Sequence, residues 1–130
     1  MNTQSGFYIY INKDAGTVAN LGKQALETLI SQSGIPVKHL YFLSADDIIQ
    51  KLKTTDKDAP VLIGGGDGTI KTCAQYFIHA QSSFGILPLG TMNLLAKDLG
   101  VPAKIDEALA AYAGGIKEYK MDVGIVNNEI

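Results

Sequence analysis

Gly64-Gly65-Gly66-Asp67-Gly68-Thr69 constrains this chain more than any other stretch, because it follows the apolar run Ala59-Pro60-Val61-Leu62-Ile63 and precedes a helical pattern. The three pieces read as a strand, a tight loop and a helix. Four glycines in five positions let the backbone take positive φ and approach a ligand closely, with no Cβ in the way. At a helix start, such a loop points N–H groups and a positive dipole end at whatever docks, which suits phosphate. Asp67 is the anomaly. A loop built only for an anion has no use for a carboxylate at its centre unless a cation or a transferable proton belongs there as well.

The rest of the chain supplies a scaffold of matching type. Phe7 to Ile11, Pro36 to Leu43, Ala59 to Ile63, Phe84 to Leu87 and Ile116 to Val123 read as strands. Between them, one amphipathic helix is expected from an N-cap at Thr17 through Val18, Leu21, Ala25 and Leu29 to a stop at Gly34. Ser44, followed by Asp46 and Asp47, caps a short helix carrying Ile48, Ile49 and Leu52. After the glycine loop, Ile70, Cys73, Ala74, Phe77 and Ile78 share one helical face; further helices run through Leu94, Leu95 and Leu99, and through Ile105, Ala108, Leu109 and Tyr112. Strands alternating with helices at short intervals predict an α/β fold, a three-layer Rossmann-like parallel sheet with right-handed crossovers. Ligands bind such sheets at the carboxyl ends of the strands, where Asn12 to Gly16, Gly64 to Thr69 and Gly90 to Asn93 all fall.

Composition narrows the partners. With 130 residues, 46% hydrophobic and 18% charged, the chain holds one domain with a real core. A net charge of −2 and no lysine cluster leave no footprint for nucleic acid and no polybasic membrane patch. Cys73 has no disulfide partner, and with His39 and His79 as the only histidines no zinc cluster can be assembled. Absence of a signal-like N-terminus or a spanning apolar run makes the cytoplasm the default. Val123-Gly124-Ile125-Val126 runs into Asn127-Asn128 and stops at Ile130, like a hairpin cut in half. The expectation is a truncated edge through which the domain dimerises or swaps a strand.

The glycine loop fits neither common nucleotide fingerprint. A G-x-G-x-x-G/A loop started at Gly64 finds Thr69 where a small residue is needed, one started at Gly66 finds Lys71, and Ile70-Lys71-Thr72 lacks the glycine of a Walker loop. Gly65-Gly66-Asp67-Gly68-Thr69, followed by Pro88-Leu89-Gly90-Thr91-Met92-Asn93-Leu94-Leu95-Ala96, instead resembles the catalytic domain of diacylglycerol kinases, in a superfamily with sphingosine, ceramide and NAD kinases. Asn12 and Gly16 sit where that family has an N-P-x-x-G loop, and Asp122-Val123-Gly124 resembles its last strand before a second, β-rich domain. The resemblance covers nearly the whole chain.

It implies an ATP-dependent lipid kinase with ATP and Mg²⁺ as cofactors. Residues 1–123 would be the nucleotide-binding domain and 124–130 the start of the second. By position, Gly65, Gly66, Asp67, Gly68 and Thr69 would hold phosphates and metal, Asn12 and Gly16 would line the nucleotide, and Gly90, Thr91 and Asn93 would close the other side. Ser44 stands where the family often has a nucleotide-contacting threonine. Asp67 would carry the metal or orient the acceptor hydroxyl, and the sequence leaves that choice open. The implied partners are ATP and a lipid such as diacylglycerol at a membrane surface, the full-length protein being cytoplasmic or peripheral to the membrane. Lys13 replaces the first loop's proline, and Ile70-Lys71-Thr72 stands where many members have an Asn-Glu pair. A piece lacking the second domain is expected to turn over weakly or not at all. Two alternatives stay open: a kinase acting on a sphingoid base or NAD, and a non-catalytic nucleotide-binding or interaction module.

Overall fold

A computed structural model describes residues 6–56, 58–82, 84–90, 93–98, 100–102 and 104–114. Among these residues four strands, β1 (Phe7–Asn12), β2 (Val37–Leu43), β3 (Val61–Gly65) and β4 (Gly85–Pro88), form one sheet in the order β2-β1-β3-β4, and every neighbouring pair is parallel. Among the described residues six helices connect and cover them: α1 (Gly16–Leu21), α2 (Lys23–Gln32), α3 (Ala45–Leu52), α4 (Asp67–Ala80), α5 (Leu94–Asp98) and α6 (Ile105–Gly114). The predicted α/β architecture is observed. Strand residues alternate between the two faces of the pleat, so the core divides in two. Tyr10, Ile63 and Ile86 pack under Ile48, Leu52, Ile70, Cys73 and Phe77 from α3 and α4, while Ile9, Ile11, Leu62 and Leu87 pack under Leu26, Ile30 and Leu109 from α2 and α6.

From β1 the chain steps to β2 on one side, then crosses to β3 on the other. The crevice where strand order reverses therefore lies between the carboxyl ends of β1 and β3, the usual ligand position in an open parallel sheet. Asn12 ends one of those strands and the glycine loop follows the other.

The single helix expected between β1 and β2 is two. Gly22, at φ +94°, breaks it after Leu21, and α2 restarts one residue out of phase. Leu26 and Ile30 are consequently buried where Ala25 and Leu29 were expected, Ala25 is exposed, and Leu21 is 41% exposed. The N-cap also moves, from Thr17 to Ala15, which offers no side-chain bond; the Thr17 N–H instead donates to the Leu89 carbonyl at 2.9 Å.

At the far side of the sheet, the Tyr112 hydroxyl accepts from the Ile86 N–H at 2.8 Å. Gly85 makes room for it: a Cβ there would stand 2.9 Å from Tyr112 Oη. Cys73 is core filler as read, and burial pushes its thiol up from 9.0 to about 12. His39 and His79 are exposed. The expected strand Ile116 to Val123, Asp122, the 124–130 segment and the dimerising edge lie outside the described residues. Among the described residues no helix is long and apolar enough to cross a membrane.

Candidate functional site

Three loops meet at the carboxyl end of the sheet, and backbone contact joins them. The Leu89 N–H donates to the Gly65 carbonyl at 3.0 Å, and the Leu89 carbonyl accepts from Thr17, so the segment after β4 holds both the glycine loop and the first turn of α1. Gly66 and Gly90 lie against each other. A Cβ on Gly90 would overlap Gly66 Cα, and one on Gly66 would come within 3.2 Å of Gly90 Cα.

The glycines serve close approach rather than positive φ. None from Gly64 to Gly68 is left-handed, against the expectation from their number. A Cβ on Gly64 would meet Leu89 Cδ1 at 2.8 Å and Ile11 Cγ1 at 2.9 Å; one on Gly65 would meet Thr69 Cβ at 2.8 Å. Gly68 differs. Beyond its own helix backbone and chain neighbours, no described residue comes within 4 Å of its Cβ position, and among the described residues no packing demands a glycine there.

Gly68 lines an open cleft of about 400 Å³, shared with Asn12, Ala15, Gly16, Gly66, Asp67, Thr69 and Gly90. Seven of the expected site residues thus come together: Asn12, Gly16, Gly66, Asp67, Gly68, Thr69 and Gly90. Gly65 lies behind the wall, under Thr69. Ser44 does not reach the cleft; its Oγ accepts from the Asp47 N–H at 3.2 Å as the cap of α3. Asn93 braces its own loop, at φ +55° with Oδ1 accepting from the Gly90 N–H at 2.8 Å. Thr91 lies outside the described residues. Ala15 was missed, since alanine carries no polar atom to mark it; its place between an Asx-type turn and Gly16 is the one signal available.

Asp67 is the first residue of α4, after an N-cap glycine that brings no side chain of its own. Its Oδ2 accepts from the Leu94 N–H at 3.0 Å, which ties the start of α4 to the start of α5. The carboxylate thus lies at the N-terminal end of one helix and takes the first amide of the next. Among the described lining residues none is basic, and the sequence contains no arginine. Backbone donors, the dipole of α4 and the Thr69 hydroxyl are what this wall offers an anion. Among the described residues no group of three or more His, Cys, Asp or Glu could cage a metal. A lone carboxylate beside a phosphate-suited wall fits Mg²⁺ that arrives on phosphate, since that ion is commonly held by one or two carboxylates plus phosphate oxygens.

The profile of the diacylglycerol kinase catalytic domain family matches residues 6–126. The chain belongs to that family. Among relatives of the diacylglycerol kinase catalytic domain, the probable lipid kinase YegS of Escherichia fergusonii is 43% identical over 76 residues, 55% of this chain and 25% of that protein. A probable lipid kinase YegS-like protein of Citrobacter koseri is 38% identical over 73 residues, 53% of this chain and 24% of that one. A crystallised diacylglycerol kinase from Bacillus anthracis str. Sterne shares the fold, with a TM-score of 0.61 over 87% of this chain and 41% of that one, at 23% identity. The alignments therefore span about a quarter of the two lipid kinases and 41% of the crystallised protein.

Proposed function

We propose that this domain binds Mg-ATP and presents its terminal phosphoryl group to a lipid hydroxyl. The observation that carries the reading is Gly68, a cleft-wall glycine that neither backbone φ nor packing among the described residues requires, next to Asp67, the one carboxylate among the described lining residues. Phosphoryl transfer is mostly positioning and charge neutralisation, which this wall suits. N–H groups of the first turn of α4 and the Thr69 hydroxyl would take phosphate oxygens, Asp67 would hold Mg²⁺, and Asn12, Gly16 and Gly90 would shape the two sides. Bound Mg²⁺ would neutralise phosphate charge. The family and the lipid-kinase names of the relatives support a lipid as acceptor, and residues 124–130 would open the second, β-rich domain that completes its site.

Calorimetric titration of the chain with ATP, with and without Mg²⁺, tests this. Binding strengthened by Mg²⁺ in the wild type, with that gain lost in Asp67→Ala, is the expected result. Binding that Asp67→Ala leaves unchanged would remove Asp67 from the metal-phosphate role, and no nucleotide binding would leave an interaction module.

A further inference from the structure

Asn12 lines the cleft, yet its amide is engaged at both ends. Oδ1 accepts from the Asp14 N–H at 2.9 Å, and Nδ2 donates to Thr69 Oγ1 at 2.8 Å. The first bond fixes the orientation of the group, because only the oxygen can accept from a backbone N–H; the nitrogen must then face Thr69. Nδ2 carries protons and no lone pair to offer. Thr69 Oγ1 is accordingly the acceptor of that pair, and its own proton points elsewhere.

Other threonines spend that proton at home: Thr28 and Thr72, in α2 and α4, donate to carbonyls four residues earlier at 3.1 and 3.0 Å, and Thr54 and Thr55, just past α3, donate to the Lys51 carbonyl at 2.9 Å. Thr69 makes no such bond. The Gly65 carbonyl, four residues before it, accepts from the Leu89 N–H and takes no bond from the Thr69 hydroxyl. Gly65 also gives the Thr69 side chain the room to pack in this position. Thr69 is 8% exposed and lines the cleft, so the remaining direction for its O–H is the cleft itself.

We infer that Asn12 is a positioning residue: by donating to Thr69 Oγ1 it turns the threonine hydroxyl into a donor aimed at an anionic oxygen of the phosphate class. This rests on the nucleotide reading for the identity of the ligand, and it gives Asn12 a role that acts through Thr69. The structure locates the dependence in a pair, on two strands' worth of separate sequence, joined by one hydrogen bond.

The test is a double-mutant cycle in affinity, with Mg-ATP and inorganic tripolyphosphate as probes and thermal melts to establish that each variant is folded. Thr69→Val is expected to lose about tenfold or more, a bond to a charged partner being worth that much, and Thr69→Ser to stay near wild type. Asn12→Ala should lose a similar factor, and the double variant no more than Thr69→Val alone. Asn12→Asp adds a pH profile: ionised, it accepts the Thr69 proton and weakens binding; protonated below about pH 4, it donates again, and its affinity relative to wild type recovers. Multiplicative losses in the cycle, or a flat relative profile for Asn12→Asp, would overturn the inference while leaving the nucleotide reading standing. Failure of the wild type to bind either probe would overturn both.

Discussion

Gly68→Ala separates what the fold needs from what the ligand needs. The substituted position is the second residue of α4, its φ is not left-handed, and beyond its own helix backbone and chain neighbours its Cβ meets no described residue within 4 Å. Replacing glycine by alanine at a compatible helical site stabilises by about 0.5–1 kcal/mol, chiefly by restricting the unfolded chain. For a domain of this size that raises Tm by roughly 2–4 °C. The same methyl stands in the space of the cleft wall, where phosphate would approach the backbone. At a nucleotide concentration about 100 times Kd, ligand stabilisation is about 2.7 kcal/mol; a tenfold weaker site leaves about 1.4 kcal/mol, so the ligand-induced rise in Tm should fall to about half. Differential scanning fluorimetry with and without Mg-ATP reads both quantities in one experiment. A variant that melts higher and keeps the full ligand-induced rise would refute the claim that Gly68 is a glycine on the ligand's account.

Gly90→Ala should behave in the opposite way, losing about 1–3 kcal/mol in urea unfolding, because its methyl overlaps the backbone of Gly66 and no side-chain rotation relieves it. Asp67→Asn should keep the bond from Leu94 and unfold close to wild type, whereas Asp67→Ala loses about 1 kcal/mol as a helix-start acceptor is removed; both should lose the Mg²⁺-dependent part of ATP affinity in titration. Cys73 titrates at 9.0 ordinarily and at about 12 when folded, and burial raises Tyr10 as well. Between pH 9 and 12 the unfolded chain binds fewer protons than the folded one, so stability holds below pH 9 and falls above it. Urea midpoints measured across that window check the sign, and a native Cys73 that reacts with a thiol reagent at pH 8 as fast as the unfolded chain would contradict its burial.

Much of this architecture was legible because its signals are local. Alternating strand and helix patterns, Asp67 among glycines and the second loop at Gly90 are each visible within a few residues, and together they placed the cleft. What the sequence hid depends on contacts across the chain. Gly22 sits inside a pattern that reads as one helix, and only the burial of Leu26 and Ile30 tells that the phase has slipped. Ser44 carries the same hydroxyl whether it caps a helix or meets a ligand, and the bond from the Asp47 N–H that makes it the cap of α3 is not visible in its residue type. The glycine loop looks like a demand for positive φ until Leu89, Thr69 and Gly90 are seen pressed against it.

The bond between Tyr112 and Ile86 bears on a different hazard, intermolecular strand pairing. The register with β3 turns the N–H groups of Gly85 and Leu87 inward, so Ile86 and Pro88 present the outward positions of β4. Tyr112 takes the first donor, and proline has none to give at the second. An incoming strand from another molecule would find acceptors there without donors, half of the ladder it needs. Among the described residues β4 is the outer strand on this side, and that edge is blunted against self-templated growth; the strand leads into the loop bracing the cleft.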